Sequence, residues 1–199
     1  MKLKIPAGDL GAYLFDCDGT IVDSMPLHFV AWSKILTEEG CPFPEKRFYE
    51  WGGVPSRKII AQLNEEFGLK MDPEAVAKRK EASYYASLND LEPVHMVVEV
   101  INAAYGKIPF AVVSGGTQES VNNSLTQLGL GDKFPVRVCA EDYTHHKPDP
   151  ECFLKAAALL CVEPARCLVF EDTDIGIEAA KAAGMHWVRV PAPWERKTN

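Results

Sequence analysis

The sequence lacks an apolar run long enough to cross a lipid bilayer, which takes about 20 consecutive apolar residues. Its first residues, Met1-Lys2-Leu3-Lys4, show no signal-peptide pattern either. Basic residues are also in short supply, because 21 of them stand against 28 acidic residues and give a formal net charge of −7. We therefore expect a cytoplasmic protein whose main partner is neither a membrane nor a nucleic acid, since both of those surfaces are anionic.

The six cysteines form no C-x-x-C pair and no zinc-like spacing with histidine, which excludes the usual zinc-binding patterns. A reduced compartment is the simplest setting for them. Cys17 lies between two acidic residues, and we expect its side chain to point away from them. The other five lie in or beside apolar runs and are expected to be small core residues: Cys41, Cys139, Cys152, Cys161 and Cys167.

Short apolar runs alternate with helical patterns along most of the chain. The predicted strands cover residues 12–16, 109–114, 136–140, 167–171 and 186–190, and the predicted helices cover residues 94–105, 118–128, 150–161 and 175–183. Helices of this length between short strands indicate βαβ units. The sequence therefore predicts an α/β protein with a doubly wound, Rossmann-like parallel sheet.

Residues 24–92 break this alternation, since they contain no convincing strand. Apolar residues recur there at helical spacing, and Gly52-Gly53 and Pro55 separate the helical segments. We predict a small all-helical cap domain over residues 24–92, inserted into a core domain formed by residues 1–23 and 93–199. The insertion would act as a lid, with hinges near Pro26 and Glu92-Pro93.

Two pairs of acidic residues follow predicted strands near opposite ends of the chain. Asp16 and Asp18 end the first strand, and Glu171-Asp172 ends the fourth. Because the carboxyl ends of parallel strands line one crevice, the pairs are expected to meet, with a repulsion of roughly 4 kcal/mol per pair at about 4 Å if the effective dielectric constant is near 20. Such a cluster implies a bound cation, and oxygen ligands favour Mg²⁺.

The spacing of the first pair suits metal-assisted phosphoryl transfer. A carboxylate at the end of a buried strand, here Asp16, can attack phosphorus and form an aspartyl phosphate. A second acid two residues later, Asp18, can protonate the leaving alcohol and then accept a proton from water. The alternative is a simple turn with aspartates at capping positions, since Asp-Gly is a common turn dipeptide.

Three further features would complete such a site. Ser114-Gly115, after the second strand, can cradle a phosphate, although an ordinary helix cap by serine or threonine is the better explanation of this segment taken alone. Lys147 can balance charge between carboxylates and phosphate, and its alternative is a solvated loop lysine. Asp172 is the expected direct metal ligand, with Glu171 as a second ligand or an acceptor for ordered water. The alternative for both is a pair of acids complementing a helix dipole.

Taken together, these features resemble a known family over nearly the whole chain. The matching elements are Asp16-x-Asp18-Gly19-Thr20, Ser114, Lys147-Pro148 and Glu171-Asp172-x-x-x-Gly176, which look like the four motifs of the haloacid dehalogenase superfamily. The helical insertion resembles the small cap of its β-phosphoglucomutase-like branch. Within that branch, the segment Trp51-Gly52-Gly53-Val54-Pro55-Ser56-Arg57 and the string His145-His146-Lys147-Pro148 are most similar to bacterial fructose-1-phosphate-type sugar phosphatases.

The resemblance implies a role for each matching residue. Asp16 would be the nucleophile and Asp18 the general acid and base, with the backbone carbonyl of Asp18 also binding Mg²⁺. Asp172 would be a metal ligand, and Ser114 and Lys147 would bind phosphate. The expected activity is magnesium-dependent hydrolysis of a small phosphomonoester, a sugar phosphate in particular, by a monomer or a weak homodimer.

Four residues of the insertion are candidates for contact with the substrate. His28 and Trp32, four apart, would share one helix face. Arg57 and Lys80 match cap positions that reach the substrate in this branch, and the arginine fork could grip a distal phosphate or sugar hydroxyls. Core packing is the alternative for Trp32, and a solvated helix face is the alternative for Lys80. Asp174 departs from the usual family pattern, and we expect it to cap a helix.

Two other functions stay open at this point. A phosphosugar mutase would use the same aspartyl phosphate and return the phosphoryl group to the sugar, so that only the product distinguishes it from a phosphatase. A phospho-accepting signalling domain also groups acids, a hydroxyl and a lysine around magnesium. There the acid pair would end the first strand and the acceptor a later one, so the position of Asp16 and the helical insertion argue against it.

Overall fold

The computed structural model describes residues 2–196. Its strands form one parallel sheet in the order β3-β2-β1-β4-β5. They are β1 (Ala12–Phe15), β2 (Phe110–Val113), β3 (Val136–Val138), β4 (Cys167–Glu171) and β5 (His186–Arg189). Each predicted strand is confirmed, and each ends within two residues of its predicted limits.

Helices connect the strands and confirm the predicted α/β class. The helices outside the insertion are α5 (His95–Ala104), α6 (Gln118–Gln127), α7 (Glu151–Leu159), α8 (Asp174–Ala182) and α9 (Pro193–Arg196). Every residue of β1, β2 and β4 is buried, as expected for parallel strands covered on both faces. Helix α8 ends before Gly184, whose φ of 71° provides the left-handed turn predicted there.

The strand order determines which strand ends are neighbours. Strand β1 lies between β2 and β4, and its Phe15 ring stacks on Phe170 of β4 with centroids 4.5 Å apart. The residues that follow these three strands, among them Asp16, Ser114 and Asp172, therefore lie at one edge of the sheet. This is the edge at which open α/β sheets bind ligands.

The insertion is all-helical, as predicted. Its helices are α1 (Met25–Glu38), α2 (Glu45–Glu50), α3 (Ser56–Phe67) and α4 (Pro73–Tyr85). Contacts divide the chain into two compact units, one holding Ser24–Leu91 and the other the residues on either side of it, so Glu92 belongs to the sheet unit. The helical unit has its own apolar core, which includes Trp32, Leu36 and Leu63. Its action as a lid stays a prediction.

The described residues also test two simpler expectations. No helix among residues 2–196 combines the length and the apolar character that crossing a membrane requires. Cys41, Cys139, Cys152 and Cys167 are buried as predicted, and so is Cys17. The prediction for Cys161 is wrong, because this residue is exposed in the turn after α7, where its φ is 56°.

Candidate active site

Lys147 links the ends of three neighbouring strands. Its Nζ donates to Asp16 Oδ1 and to Glu171 Oε2, each at 2.7 Å, and to the carbonyl of Val113 at 3.1 Å. The side chain of Lys147 is only 7% exposed, so the alternative of a solvated loop lysine is wrong. Burial opposes its charged form, but Asp16 and Glu171 outweigh this effect and raise the pKa of the ammonium well above its usual value. Lys147 is therefore a buried cation shared between two carboxylates.

Three carboxylates surround this one ammonium. Asp16, Glu171 and Asp172 each have a carboxylate oxygen within 4.8 Å of the others. Burial, followed by repulsion from Glu171, raises the pKa of Asp16 well above its usual value and the pKa of Asp172 to about 7. Burial first and repulsion second thus disfavour the charged form of both carboxylates, and a divalent cation would offset both effects. The donor set of carboxylate oxygens therefore fits the Mg²⁺ that the sequence predicts.

Glu171 is almost completely enclosed, with 1% of its surface exposed. While Oε2 accepts from Lys147, Oε1 accepts from the Thr173 backbone N–H at 3.0 Å and from its hydroxyl at 2.7 Å. A β-carbon at Gly176 would overlap the Glu171 carboxylate. Both oxygens already accept hydrogen bonds, and this arrangement favours Glu171 as the anchor of Lys147 over a direct metal ligand.

Asp172 follows β4 directly and is held by the turn after β1. Thr20 Oγ1 donates to Asp172 Oδ1 at 2.9 Å. Gly19, which precedes Thr20, has a φ of 86°, and a β-carbon on it would overlap Asp172 Oδ2. Glycine is thus required at position 19 both for its backbone conformation and for the approach of the carboxylate.

Ser114 and Asp18 lie on another side of the site. Ser114 is buried, and its hydroxyl accepts from the Gly116 N–H at 3.0 Å. A β-carbon built on Gly116 would lie 3.2 Å from Ser114 Oγ and 3.5 Å from Asp18 Oδ2, so the Asp18 carboxylate adjoins this loop. Thr117, not Ser114, caps α6, with its hydroxyl accepting from the Ser120 N–H at 3.2 Å. The alternative of an ordinary helix cap by serine or threonine is therefore confirmed for Thr117 and not for Ser114.

The loop that carries Lys147 is fixed by the first residue of α7. Glu151 accepts from the backbone N–H groups of Thr144 at 3.0 Å and His145 at 2.8 Å, and its carboxylate lies 2.8 Å from His145 Nδ1. These backbone bonds, followed by the histidine, lower the pKa of Glu151 to about 2. His145, Asp149 and Glu151 form a second compact group of potential metal ligands, but the hydrogen bonds within the loop account for their positions.

Three of the four candidate residues in the helical unit lie together. Lys80 Nζ is 3.0 Å from His28 Nδ1 and 5.7 Å from the centroid of the Trp32 ring. Lys80 is 5% exposed, so the alternative of a solvated helix face is wrong for it. Trp32 packs into the core of this unit, as its alternative predicts. Arg57 lies apart on the surface and pairs with Glu74 at 2.7 Å.

Sequence reasoning missed two contributors and misassigned a third residue. Thr173 supports Glu171 and is also the N-cap of α8, accepting from the Gly176 N–H at 3.1 Å. Asp174 is the first residue of α8, so its predicted role as the cap is wrong by one position, and it pairs with Arg189 of β5. A basic residue ending the last strand was the only signal for Arg189, and that signal is common at helix and strand ends alike.

Comparison with known proteins agrees with this geometry. The profile of the family described as haloacid dehalogenase-like hydrolase matches residues 13–190. The fructose-1-phosphate phosphatase YqaB of Escherichia coli is 38% identical over 178 residues, which cover 89% of this chain and 94% of the relative. A phosphorylated carbohydrates phosphatase of Thermotoga maritima is 32% identical over 178 residues, which cover 87% of this chain and 82% of the relative.

One similar solved structure belongs to an enzyme named for a different activity. The β-phosphoglucomutase of Clostridium difficile superposes with a TM-score of 0.79 at 26% identity, over 89% of this chain and 83% of that chain. The profile match, the relatives and the fold all span both the sheet unit and the helical insertion. On these grounds the chain belongs to the haloacid dehalogenase-like hydrolase family.

Proposed function

We propose that this protein is a magnesium-dependent phosphatase that hydrolyses a small phosphomonoester, a sugar phosphate in particular. The observation that carries this proposal is the bridge from Lys147 to Asp16 and Glu171, each at 2.7 Å, beside the third carboxylate of Asp172. Three acids near one buried ammonium suit a site for a cation and a phosphate together, because the cation would offset the excess of carboxylates, and the cation and Lys147 would then attract the anionic phosphate.

In the first step, an oxygen of Asp16 attacks phosphorus and the bond from phosphorus to the sugar oxygen breaks. Asp18 gives its proton to that leaving oxygen, so a neutral alcohol departs and an aspartyl phosphate remains. In the second step, water attacks the aspartyl phosphate while Asp18 takes the proton of the water. The bond between phosphorus and Asp16 then breaks, which releases phosphate and restores the carboxylate.

The remaining residues would hold the reacting groups. Asp16 and Asp172, with the backbone carbonyl of Asp18, would hold Mg²⁺, and Glu171 would support them by fixing Lys147. When bound, the ion would supply positive charge to the phosphoryl oxygens. Lys147, the Ser114 hydroxyl and the backbone at Gly115 would bind the same phosphoryl group from other directions.

Recognition of the sugar is assigned to the helical unit. The Lys80 amino group lies within hydrogen-bonding distance of His28 Nδ1, at 3.0 Å, and its Nζ is 5.7 Å from the centroid of the Trp32 ring. The exposed Arg57 would have to leave Glu74 to reach a substrate. The Escherichia coli and Thermotoga relatives are named as phosphatases of fructose 1-phosphate and of phosphorylated carbohydrates, which supports a carbohydrate substrate.

A phosphosugar mutase is the second candidate, and the similarity to the Clostridium difficile enzyme favours keeping it. Its chemistry would be the same through the aspartyl phosphate. The phosphoryl group would then pass to a second sugar hydroxyl and not to water. Product analysis separates the two, since a phosphatase releases inorganic phosphate in proportion to substrate consumed and a mutase gives a rearranged sugar phosphate.

The test is phosphate release from a panel of sugar phosphates, nucleotides and phosphoglycolate, with Mg²⁺ and with a chelator. We expect sugar phosphates to be the best substrates and the chelator to abolish turnover. Asp16→Asn should lower kcat by at least about 10³-fold while circular dichroism shows a native fold. Asp9→Asn is the matched control, because that exposed aspartate pairs with Arg166 outside the site. Near-normal turnover by Asp16→Asn would contradict the nucleophile assignment.

A further inference from the structure

Arg189 of β5 grips the turn that carries Asp172. Its Nη1 donates to the backbone carbonyl of Asp172 at 2.9 Å, and its Nη2 donates to the carboxylate of Asp174. Arg189 is the register partner of Glu171, the last residue of β4. The guanidinium therefore reaches past the end of the β4–β5 ladder to the residue that follows it.

The position of Asp172 makes this contact informative. The Glu171 carbonyl is still held by the ladder, accepting from the Val190 N–H at 2.9 Å, but the Asp172 carbonyl lies beyond it. Thr20 holds the side chain of Asp172 and Arg189 holds its backbone. A carboxylate that must meet a metal ion depends on such supports, since loss of a supporting partner typically lowers metal affinity by about 10- to 100-fold.

We propose that Arg189 is a positioning residue for Asp172 and that Asp174 serves to hold Arg189 in place. This inference rests on the proposed role of Asp172 as a magnesium ligand. It assigns Asp174 neither to the metal nor to the helix cap, but to the arginine that orders the metal-binding turn. Arg189 and Asp174 are 44% and 89% exposed, so an effect smaller than that of a buried partner is expected.

Charge and positioning predict opposite outcomes for Arg189. A cation near a metal site repels Mg²⁺, so simple Coulomb interaction predicts that Arg189→Ala tightens magnesium binding. Positioning predicts weaker binding, because the turn loses its support. Arg189→Lys distinguishes charge from positioning further. Lysine keeps the positive charge but lacks the planar guanidinium that donates to two acceptors at once.

The experiment is titration calorimetry of Mg²⁺ into the full-length protein, with kcat measured separately at saturating Mg²⁺. We expect Arg189→Ala to weaken magnesium binding by roughly 3- to 10-fold, Arg189→Lys to weaken it by less, and kcat to stay within about twofold in both. Unchanged or tighter binding by Arg189→Ala would overturn the inference. If the unmodified protein binds no Mg²⁺ at all, the proposed metal site itself is overturned.

The double variant tests the part assigned to Asp174. If Asp174 acts only through Arg189, the single variant Asp174→Asn weakens magnesium binding. The same substitution then has no further effect in a protein that already carries Arg189→Ala. An equal loss in both backgrounds would mean that Asp174 acts on the ion directly, against the inference. Arg166→Ala is the matched control and should leave magnesium binding unchanged, because Arg166 makes the same kind of paired contact, to the carboxylate and carbonyl of Asp9, just before β4.

Discussion

At the scale of single residues, Gly176 shows how packing protects the site. It lies in the first turn of α8, and a β-carbon there would overlap the Glu171 carboxylate that anchors Lys147. Gly176→Ala should displace Glu171 from Lys147, because the buried carboxylate has no free space to move into. We expect kcat to fall by roughly 10- to 100-fold and the free energy of unfolding to fall by about 1–3 kcal/mol.

Phosphate release and urea unfolding together test this prediction. Gly131→Ala is a suitable control, since a β-carbon there would make only ordinary contacts at 3.6 Å or more. If Gly176→Ala kept the activity of the unmodified protein, the Glu171–Lys147 contact would not be needed for turnover, and the account of Glu171 as the lysine anchor would fail.

The raised pKa of Asp172 makes the stability of the metal-free protein depend on pH. Burial and Glu171 raise its pKa from 3.8 to about 7, so the metal-free folded state binds protons that the unfolded state has already released. In chelator, that contribution to stability is fully present below about pH 4 and is lost as the pH rises to about 7. Asp172→Asn should flatten this decline and stabilise the metal-free protein at pH 8 by roughly 2 kcal/mol.

Urea unfolding in chelator from pH 4 to pH 8 measures this difference. Added Mg²⁺ should reverse the order, stabilising the unmodified protein more than Asp172→Asn, because the ion binds the folded carboxylates. If the free energy of unfolding of Asp172→Asn depended on pH as that of the unmodified protein does, the pKa of Asp172 would not be raised in the folded state.

At the scale of secondary structure, the sequence was sufficient wherever one pattern ran through an element. Apolar runs predicted all five strands, and the pattern is clearest in β1, β2 and β4, which are fully buried and interrupted by no charged residue before Glu171 at the end of β4. The sequence was insufficient where burial depends on which face of a helix a residue occupies. Lys78, Arg79 and Lys80 look alike in sequence, yet only Lys80 is buried, because His28, Tyr84 and the packing of α1 on α4 enclose it.

The same limit applies to contacts between distant segments. Lys147 and Glu171 were identifiable as parts of one site, but the sharing of the lysine by two carboxylates follows from the strand order β2-β1-β4. Arg189 was not identifiable at all, since its role depends on the register that pairs it with Glu171. Local sequence carries no information on such register.

The start of α7 controls the loop that carries Lys147. Glu151 accepts two backbone N–H groups from that loop, and its pKa is lowered from 4.5 to about 2. A depressed carboxyl pKa stabilises the folded state above about pH 4.5, and this stabilisation is lost as the pH falls toward 2. Glu151→Gln should remove that part of the acid sensitivity, and it should lower kcat at pH 7 by roughly 3- to 10-fold by loosening the loop.

The comparison requires kcat at neutral pH and unfolding curves between pH 2 and pH 5. Glu178→Gln provides the control, because Glu178 forms an exposed pair with Lys181 on α8. If Glu151→Gln retained both the kcat and the acid profile of the unmodified protein, the loop would be held by other contacts.

At the scale of the whole molecule, the chain consists of two units with separate apolar cores. One core lies between the sheet and helices such as α7 and α8, and the other lies among α1 to α4. The ends of the insertion meet within the sheet unit, where the Asp23 N–H donates to the Glu92 carbonyl at 2.8 Å and Val22 pairs with Pro93. A short turn could therefore replace the insertion without distorting β1 or the site that follows it.

We predict that the sheet unit carries out the chemistry and that the insertion selects the sugar. Replacing residues 24–91 with about four glycine and serine residues should give a sheet unit that still folds cooperatively and still hydrolyses p-nitrophenyl phosphate with Mg²⁺. We expect kcat/KM for sugar phosphates to fall by at least roughly 10²-fold, because the residues proposed to orient the sugar are removed, while the value for p-nitrophenyl phosphate changes far less.

Asp16→Asn in the shortened chain should abolish the remaining turnover, which shows that it arises at the same site. A shortened chain that kept its preference for sugar phosphates would place substrate selection in the sheet unit, and one that failed to fold would mean that the sheet unit depends on the insertion for its stability.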